Sequence, residues 1–440
     1  MASQFALLKT ERLLPLFIVQ FLGAYNDNLL KTIVSVMIAY GLWEIYGWQP
    51  GVLVSIAAAI FILPFILFTP LAGVMSDKYD KANMIKRIKA AEIGIAIAAA
   101  IALFIGNIYF ALAVLAALGI QSAFFSPCKF AILPDHLRNE ELIAGNGLVS
   151  TGTYLAILAG TIIGTLLAPL ETGKYIAAAL IVSMAIIGYI AALRVPPAPA
   201  KEPEAKLSIN IFGKAISAVR LALQQKSGVL ISILGVAYFY FIAATFHAQF
   251  PNFTKQTLNA DNIVLTGFMV CFSLGIALGG LLNHVILRGK THGALVPIAC
   301  IAMAAFGIDI YFAAKAYPTT SGEALTSLST FLSNPHGIRL FVDTFLQALA
   351  AGFFVIPMRA IVQDRSQSKV RARVVSSSNM MDAIFILLSA VTSGVLLGKG
   401  LAIEELYLTV SILTLIVGLF LFLVPSLRAN HKIESHYKEA

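Results

Sequence analysis

Twelve apolar stretches divide the chain, each long enough to cross a bilayer as a helix, and a hydrocarbon environment leaves few other folds open to them. A core of about 30 Å takes roughly 20 apolar residues per helix, and every backbone N–H and C=O inside it must be satisfied within the span. The stretches lie near 13–42, 52–76, 88–106, 109–133, 142–169 and 174–193, then near 228–248, 263–286, 293–314, 338–362, 373–398 and 402–426. Composition agrees: 59% of residues are hydrophobic and 12% charged, where a soluble domain carries roughly 25% charged residues. The predicted class is an all-α membrane protein with twelve transmembrane helices. The first apolar run is a full span rather than a short signal-peptide core, so no cleaved leader is expected.

The formal net charge of +9 raises the possibility of a nucleic-acid partner, but the placement of the charges removes it. With both termini assigned to the cytoplasm, the inside segments hold 23 Lys and Arg and the outside segments five, with Lys31, Lys129 and Arg359 inside spans. That count places Lys89 in an inside loop, 77–89. The asymmetry is the positive-inside bias of a membrane protein, and no nucleic acid is needed to explain it. Cys128, Cys271 and Cys300 all fall in apolar segments without close pairing, so neither a disulfide framework nor a metal site is expected.

The stretch 194–226 splits the spans six and six. It opens with "RVPPAPAKEPEAK" and continues with "LSINIFGKAISAVRLALQQK", where Phe212, Ile216, Val219 and Leu223 recur at helical spacing. An amphipathic helix lying on the inner leaflet is predicted there. The predicted organisation is a first six-helix bundle over 1–193, a linker over 194–227 and a second bundle over 228–440. The halves repeat. "FSPCKFAILPD" (125–135) and "VIPMRAIVQD" (355–364) align Pro127 with Pro357 and Lys129 with Arg359, and after a three-residue shift Asn146 aligns with Asn379. Two pseudo-symmetric six-helix blocks in one orientation resemble the parallel repeat of major facilitator transporters. The loop "GVMSDKYDKANMIKR" (73–87) resembles the same superfamily's inter-helix loop through Gly73, Asp77, Lys78 and Lys81, with Asp80 where a second glycine is usual. The resemblance implies a conformational latch, in which the Asp77 carboxylate binds the N-terminus of a facing helix. The counterpart loop, 279–293, has Asn283 in place of the acid.

Other chemistries find little support. "RGKTHG" (288–293) lacks the upstream glycine of a phosphate-cradling loop, His284 standing there instead. His136 and Glu141 approach the H-x4-D pattern of glycerolipid acyltransferases, but with the wrong acid and in a short loop. His247 and His284 are lone intramembrane histidines whose bland reading is packing. No catalytic set, metal site or cofactor is expected.

Polar groups inside the spans carry the functional reading, because an ionisable side chain at mid-depth costs roughly 2.5–3.5 kcal/mol on insertion scales. In "QFLGAYNDNLLK" (20–31), Gln20, Asp27 and Lys31 fall within about 20° of one line on the helix. Asn28 flanks that line and Asn26 points away, toward a neighbouring helix. Asp27 and Lys31, one turn apart, are placed to neutralise each other; the alternatives are a structural pair or a cavity-lining site. Asp382 is also central, on one face with Asn379 and Ser378. Lys129 and Arg359 lie nearer the inner ends of their spans, each after a proline, either anchored to lipid phosphates or set to receive an anionic headgroup. Asn146, Ser150, Thr153 and Tyr154 form a polar stripe on span five.

Together "QFLGAYNDNLLK", "FSPCKFAILPD", "NGLVSTGTYLAILAGTIIG" and "GFFVIPMRAIVQDR" resemble the bacterial lysophospholipid transporter family of the major facilitator superfamily over essentially the whole chain. The resemblance implies movement of lysophospholipids, chiefly lysophosphatidylethanolamine, from the outer to the inner leaflet of the bacterial inner membrane. It also implies re-acylation there by an acyltransferase–acyl-carrier-protein synthetase, here expected as a separate partner, since the sequence ends at "HKIESHYKEA". The family's polar groups in spans one and four carry over to Asp27, Asn28 and Lys129. Its span-seven cation has no counterpart within 228–246, with His247 the nearest candidate. The expected substrate set is Asp27, Asn28, Lys31, Lys129, Asn146, Arg359, Asn379 and Asp382, and the conformational set is Gly73, Asp77, Lys78 and Lys81. The competing expectations are a cation-coupled transporter of a small polar solute, with Asp27 or Asp382 binding the cation, and a non-transporting membrane partner that docks an acyltransferase through the linker.

Overall fold

The computed structural model describes residues 4–138, 141–200, 203–204, 211–287, 293–318, 324–366 and 371–424. Its long helices are α1 (Leu14–Ala39), α2 (Pro50–Lys78), α3 (Lys81–Ile105), α4 (Ile108–Ala131), α5 (Leu142–Leu167) and α6 (Gly173–Leu193), then α7 (Ser227–Asn252), α8 (Asn262–Leu287), α9 (Val296–Ala316), α10 (Pro335–Arg365), α11 (Arg371–Gly398) and α12 (Ile403–Phe422). A separate linker helix, Ile211–Leu223, lies between the two sets. Ten of the long helices are long and apolar enough to span a membrane by length and composition alone. The polar residues of α1 keep it out of that group, and α5 is apolar over the shorter stretch Thr151–Leu167. These two helices pack along each other inside the first set.

The pairings repeat six helices apart. In the first set α1 packs on α5, α2 on α4 and α3 on α6; in the second α7 packs on α11, α8 on α10 and α9 on α12. Lipid offers no hydrophobic drive between helices, so close packing rests on small residues. A Cβ on Gly160 would stand 2.4 Å from the Tyr25 carbonyl oxygen across the α1–α5 contact, and one on Gly279 2.1 Å from the Leu349 carbonyl oxygen across α8–α10. Only glycine permits either approach.

Both sets present their first helix starts and last helix ends to one face, called here the terminal face. The two sets meet through α2 against α11 and α5 against α8. Hydrogen bonds joining the sets in the described residues gather at the opposite face. There Gln249 Nε2 donates to the Gly51 carbonyl at 3.0 Å and to Ser55 Oγ at 2.9 Å, and the Tyr40 hydroxyl donates to the Ala260 carbonyl at 3.3 Å. Asn252 fixes Gln249 by donating to its Oε1 at 2.8 Å.

Several boundaries differ from the sequence reading. α3 begins at Lys81, not near 88, because Asp80 caps it by accepting from the Asn83 N–H. Lys89 is therefore not in a loop; it is fully buried in the third turn of a transmembrane helix. α7 runs to Asn252 and continues as a π-turn over Phe253–Thr257. Pro127 and Pro357 stay within continuous helices. The linker's first residues form a strap across the terminal face. The Ala198 N–H donates to Asp80 Oδ2 at 3.0 Å, the Lys81 N–H to the Ala198 carbonyl at 3.0 Å, and His136 Nε2 lies 3.1 Å from the Pro196 carbonyl. The linker helix rests on α11 and α2. It buries Ala222 and packs Val219 against the core, while Ile216 and Leu223 remain exposed.

Candidate substrate-binding site

The polar residues of α1 divide by direction, as helical spacing requires. Asn26 is buried and donates to the Ile181 carbonyl on α6 at 3.0 Å, a packing bond. Gln20 accepts from the Thr153 hydroxyl on α5 at 2.6 Å, which joins the α1 line to the span-five stripe. Asn146, exposed, begins that stripe; the side chains of Ser150 and Tyr154 lie outside the described residues. Asn28 donates back to the Ala24 carbonyl of its own helix at 2.8 Å.

Asp27 and Lys31 do not form the ion pair their spacing allows. The Asp27 carboxylate accepts from the Ser122 hydroxyl on α4 at 2.6 Å, while the Lys31 ammonium lies 5.1 Å from the centre of the Phe61 ring on α2. Two forces account for this. A partly desolvated hydroxyl–carboxylate bond is short and strong, and an aromatic face attracts an ammonium where water is scarce. Both side chains keep partial exposure at mid-span. Lys129, also partly exposed, places its ammonium 5.1 Å from the Phe130 ring centre.

Behind Asp27 lies a buried network that sequence reasoning missed. Lys89 pairs with Glu92 at 2.5 Å with side-chain exposures of 0% and 2%. Gln121 Nε2 donates to Glu92 Oε2 at 2.8 Å, and the Gln121 Oε1 lies 3.1 Å from Ser122 Oγ. The Lys89 ammonium also sits 5.4 Å from the Phe125 ring centre and presses on α1, where a Cβ at Gly23 would come within 2.8 Å of it. The signal was present: Glu92 is an acid within an apolar span, three residues after a lysine.

In the second set the structure brings together three expected residues. Arg359 on α10 donates to Asp382 Oδ2 at 2.8 Å and Asn379 Oδ1 at 3.1 Å, both on α11. It also donates to the Tyr240 hydroxyl on α7 at 3.1 Å, with its guanidinium over that ring. Arg359 is thus ion-paired within the protein, whereas the ammonium of its repeat partner Lys129 lies over an aromatic ring. His247 packs by its edge near Phe250 and Phe272. A second cluster, Arg339 with Asp309 and Asp343, joins α9 to α10 and was not foreseen from the sequence.

Of the expected conformational set, Lys81 meets the strap. Lys81 is fully buried and pairs with Asp135 at 3.0 Å. Asp77 is exposed, Lys78 half-buried, and a Cβ at Gly73 would meet nothing within 4 Å. The acyltransferase-like pair is dispersed into structural roles. His136 meets the strap, and Glu141 accepts from both terminal nitrogens of Arg12 at 2.9 and 3.1 Å. Those charge-assisted bonds hold the Glu141 carboxyl below its ordinary range and raise Arg12. The 279–293 loop side chains Asn283 and His284 lie outside the described residues. Among the described residues no cluster of three or more metal-ligating side chains occurs.

The family model described as Major Facilitator Superfamily matches residues 16–321. The chain belongs to the major facilitator superfamily. Among its members it is similar to the lysophospholipid transporter LplT of Serratia proteamaculans, 24% identical over 367 residues, covering 83% of this chain and 83% of that one. The LplT of Salmonella enteritidis is also 24% identical, over 394 residues, with 88% and 89% covered. Among solved structures, a D-xylose-proton symporter superposes with a TM-score of 0.68 at 13% identity, covering 96% of this chain and 98% of that one. The nucleoside transporter NupG does so at 0.65 and 16%, covering 94% and 99%. At such identities these two establish the fold alone: a multi-pass transporter fold of two six-helix blocks.

Proposed function

We propose that the protein is a lysophospholipid transporter of the bacterial inner membrane, carrying lysophosphatidylethanolamine and related lysolipids from the outer to the inner leaflet by alternating access. The observation that carries this reading is the placement of Asp27 and Lys129 on facing helices of the first set, partly exposed, in a chain similar to LplT over more than four fifths of its length. A lysolipid presents a phosphate, an ammonium or glycerol group and one acyl chain. Lys129 suits the phosphate, Asp27 the ammonium, and the apolar walls of α2 and α4 the chain. Lys31, Asn28, Asn146 and the Arg359–Asn379–Asp382 cluster complete the lining. The seam at Gln249 closes the opposite face, so we assign the conformation as open to the terminal face. We take that face as cytoplasmic from its Lys and Arg excess. In this reading 1–193 and 228–440 rock about the substrate, Asp77 latches the terminal face when it closes, and a separate acyltransferase consumes the delivered lysolipid. A cation-coupled carrier of a small polar solute is the rival reading.

Labelled lysolipid uptake into spheroplasts tests it. Asp27→Ala and Lys129→Ala are expected to abolish uptake while the proteins still insert; normal uptake by both would refute the assignment.

A further inference from the structure

A groove of about 430 Å³ opens between α3 and α4. Ala91 and Ala117 are too small to fill it, and Ile88, Ile95, Ile120 and Phe124 wall it. Gln121 also lines it, but its Nε2 is turned inward to Glu92 at 2.8 Å. Ile120 is 39% exposed and lies about 160° around α4 from Ser122, the residue that meets Asp27. The groove is thus on the far side of α4 from the candidate substrate site and faces the bilayer. An apolar space open to hydrocarbon fills with hydrocarbon, since a void forfeits dispersion contacts and water finds no partners in it. Arg87 stands at the end nearer the terminal face. It is exposed, and among the described residues it has no ion-pair or hydrogen-bond partner. Asn83, four residues earlier on the same side of α3, is exposed as well. From Arg87 to Ile95 the groove runs about 12 Å, within the roughly 15 Å of hydrocarbon that belongs to one leaflet.

We propose that this groove binds one anionic diacyl phospholipid of the leaflet at the terminal face, with its phosphate on Arg87 and Asn83 and one acyl chain laid between α3 and α4. The second chain stays in the bilayer. A guanidinium fork matches two phosphate oxygens, and a basic residue at a groove between helices is how membrane proteins hold anionic headgroups. The sign of the headgroup follows from the acids nearby. No acid lines the groove. Glu92 behind it is taken by Lys89, and Asp80 at the start of α3 accepts from Asn83 and Ala198. A zwitterionic headgroup would place its ammonium beside Arg87 with no carboxylate to receive it, whereas an anionic one brings no second cation. The lipid is held rather than carried: Arg87, Asn83 and Ala91 belong to neither the substrate set nor the conformational set. Touching both helices, it braces the α3–α4 contact and stabilises the folded chain by mass action.

Native mass spectrometry of the purified full-length protein tests the site. The protein is stripped of lipid in detergent and then given phosphatidylglycerol or phosphatidylethanolamine with the same acyl chains. One phosphatidylglycerol per protein is expected to stay bound, with an affinity above that of phosphatidylethanolamine by roughly fivefold or more, the worth of one basic side chain beside anionic lipid. Arg87→Gln should abolish that preference and leave weak binding of both lipids. Ala91→Phe, which fills the groove from an exposed position, should remove the retained lipid of either kind. Arg194→Gln, exposed at the end of α6 and outside the groove, should change neither. Equal retention of the two lipids, or a preference that survives Arg87→Gln, would overturn the proposal. So would a loss in Arg194→Gln as large as that in Arg87→Gln, which reduces the effect to general surface charge. A protein that leaves detergent as a dimer, separated by Ala91→Phe, would assign the groove to a second copy instead. None of these readouts involves lysolipid movement, so the site stands or falls apart from the transport reading.

Discussion

Breaking the Lys89–Glu92 pair from one side should cost far more than removing it whole. The side chains are 0% and 2% exposed, so the surface-pair value of under about 1 kcal/mol does not apply. Lys89→Met leaves the Glu92 carboxylate buried with only the Gln121 amide. Glu92→Gln leaves the ammonium with an amide and the Phe125 ring face. Each is expected to lose about 3–5 kcal/mol, the cost of an uncompensated buried charge. The double variant Lys89→Met/Glu92→Gln buries no charge, and Gln at 92 still accepts from Gln121, so its stability should fall within about 1 kcal/mol of the parent. The assay is SDS titration of the purified protein in mixed micelles, followed by circular dichroism. The expected coupling between the two sites is at least about 5 kcal/mol, the two single losses less the loss of the double variant. Additive losses, with the double variant as unstable as the sum of the singles, would refute the reasoning.

Gln249→Leu removes two hydrogen bonds across the opposite-face seam at about 1 kcal/mol each, so opening there should rise roughly 30-fold. Thiol labelling of a cysteine placed at Val52 would report it, and an unchanged rate would exclude Gln249 as a gate residue. Gly160→Ala should destabilise by about 1–3 kcal/mol by pushing α1 from α5, whereas Gly73→Ala, with nothing within 4 Å, should stay within about 0.5 kcal/mol; thermal unfolding of the two variants checks this. The stability added by the Arg12–Glu141 tether should be present above the ordinary glutamate value of 4.5 and lost as pH falls through the lowered one. An acid unfolding profile that is the same for Glu141→Gln and the parent would exclude that role.

The spans, their number and the repeat were legible because hydrocarbon imposes one rule on every segment that crosses it. The special direction of Asn26 was legible for the same geometric reason. What stayed hidden were choices among partners. Spacing allowed Asp27 to take Lys31, but Ser122 and Phe61, about thirty residues or more from either of them in sequence, offered better terms, and no local pattern encodes that. Lys89 was misplaced because a basic residue at the edge of an apolar run reads as loop until a capping acid, Asp80, moves the helix start by two turns. Arg359 and Lys129 align in the repeat, yet Arg359 pairs with Asp382, Asn379 and Tyr240 while the Lys129 ammonium lies over the Phe130 ring, a difference that the alignment alone does not encode.

The strap over the terminal face has a mechanical consequence. Pinned at Pro196 and Ala198 to His136, Asp80 and Lys81, it moves the point where the chain between the two sets takes hold. Tension along that chain is delivered to the corner between α2 and α3 rather than to the end of α6. Asp77 sits at that corner. A pull along the chain would tilt the very turn that presents its carboxylate; if Asp77 is the latch proposed above, the tether and the latch would act as a single lever, and lengthening the chain after Ala200 should slacken it without touching the strap.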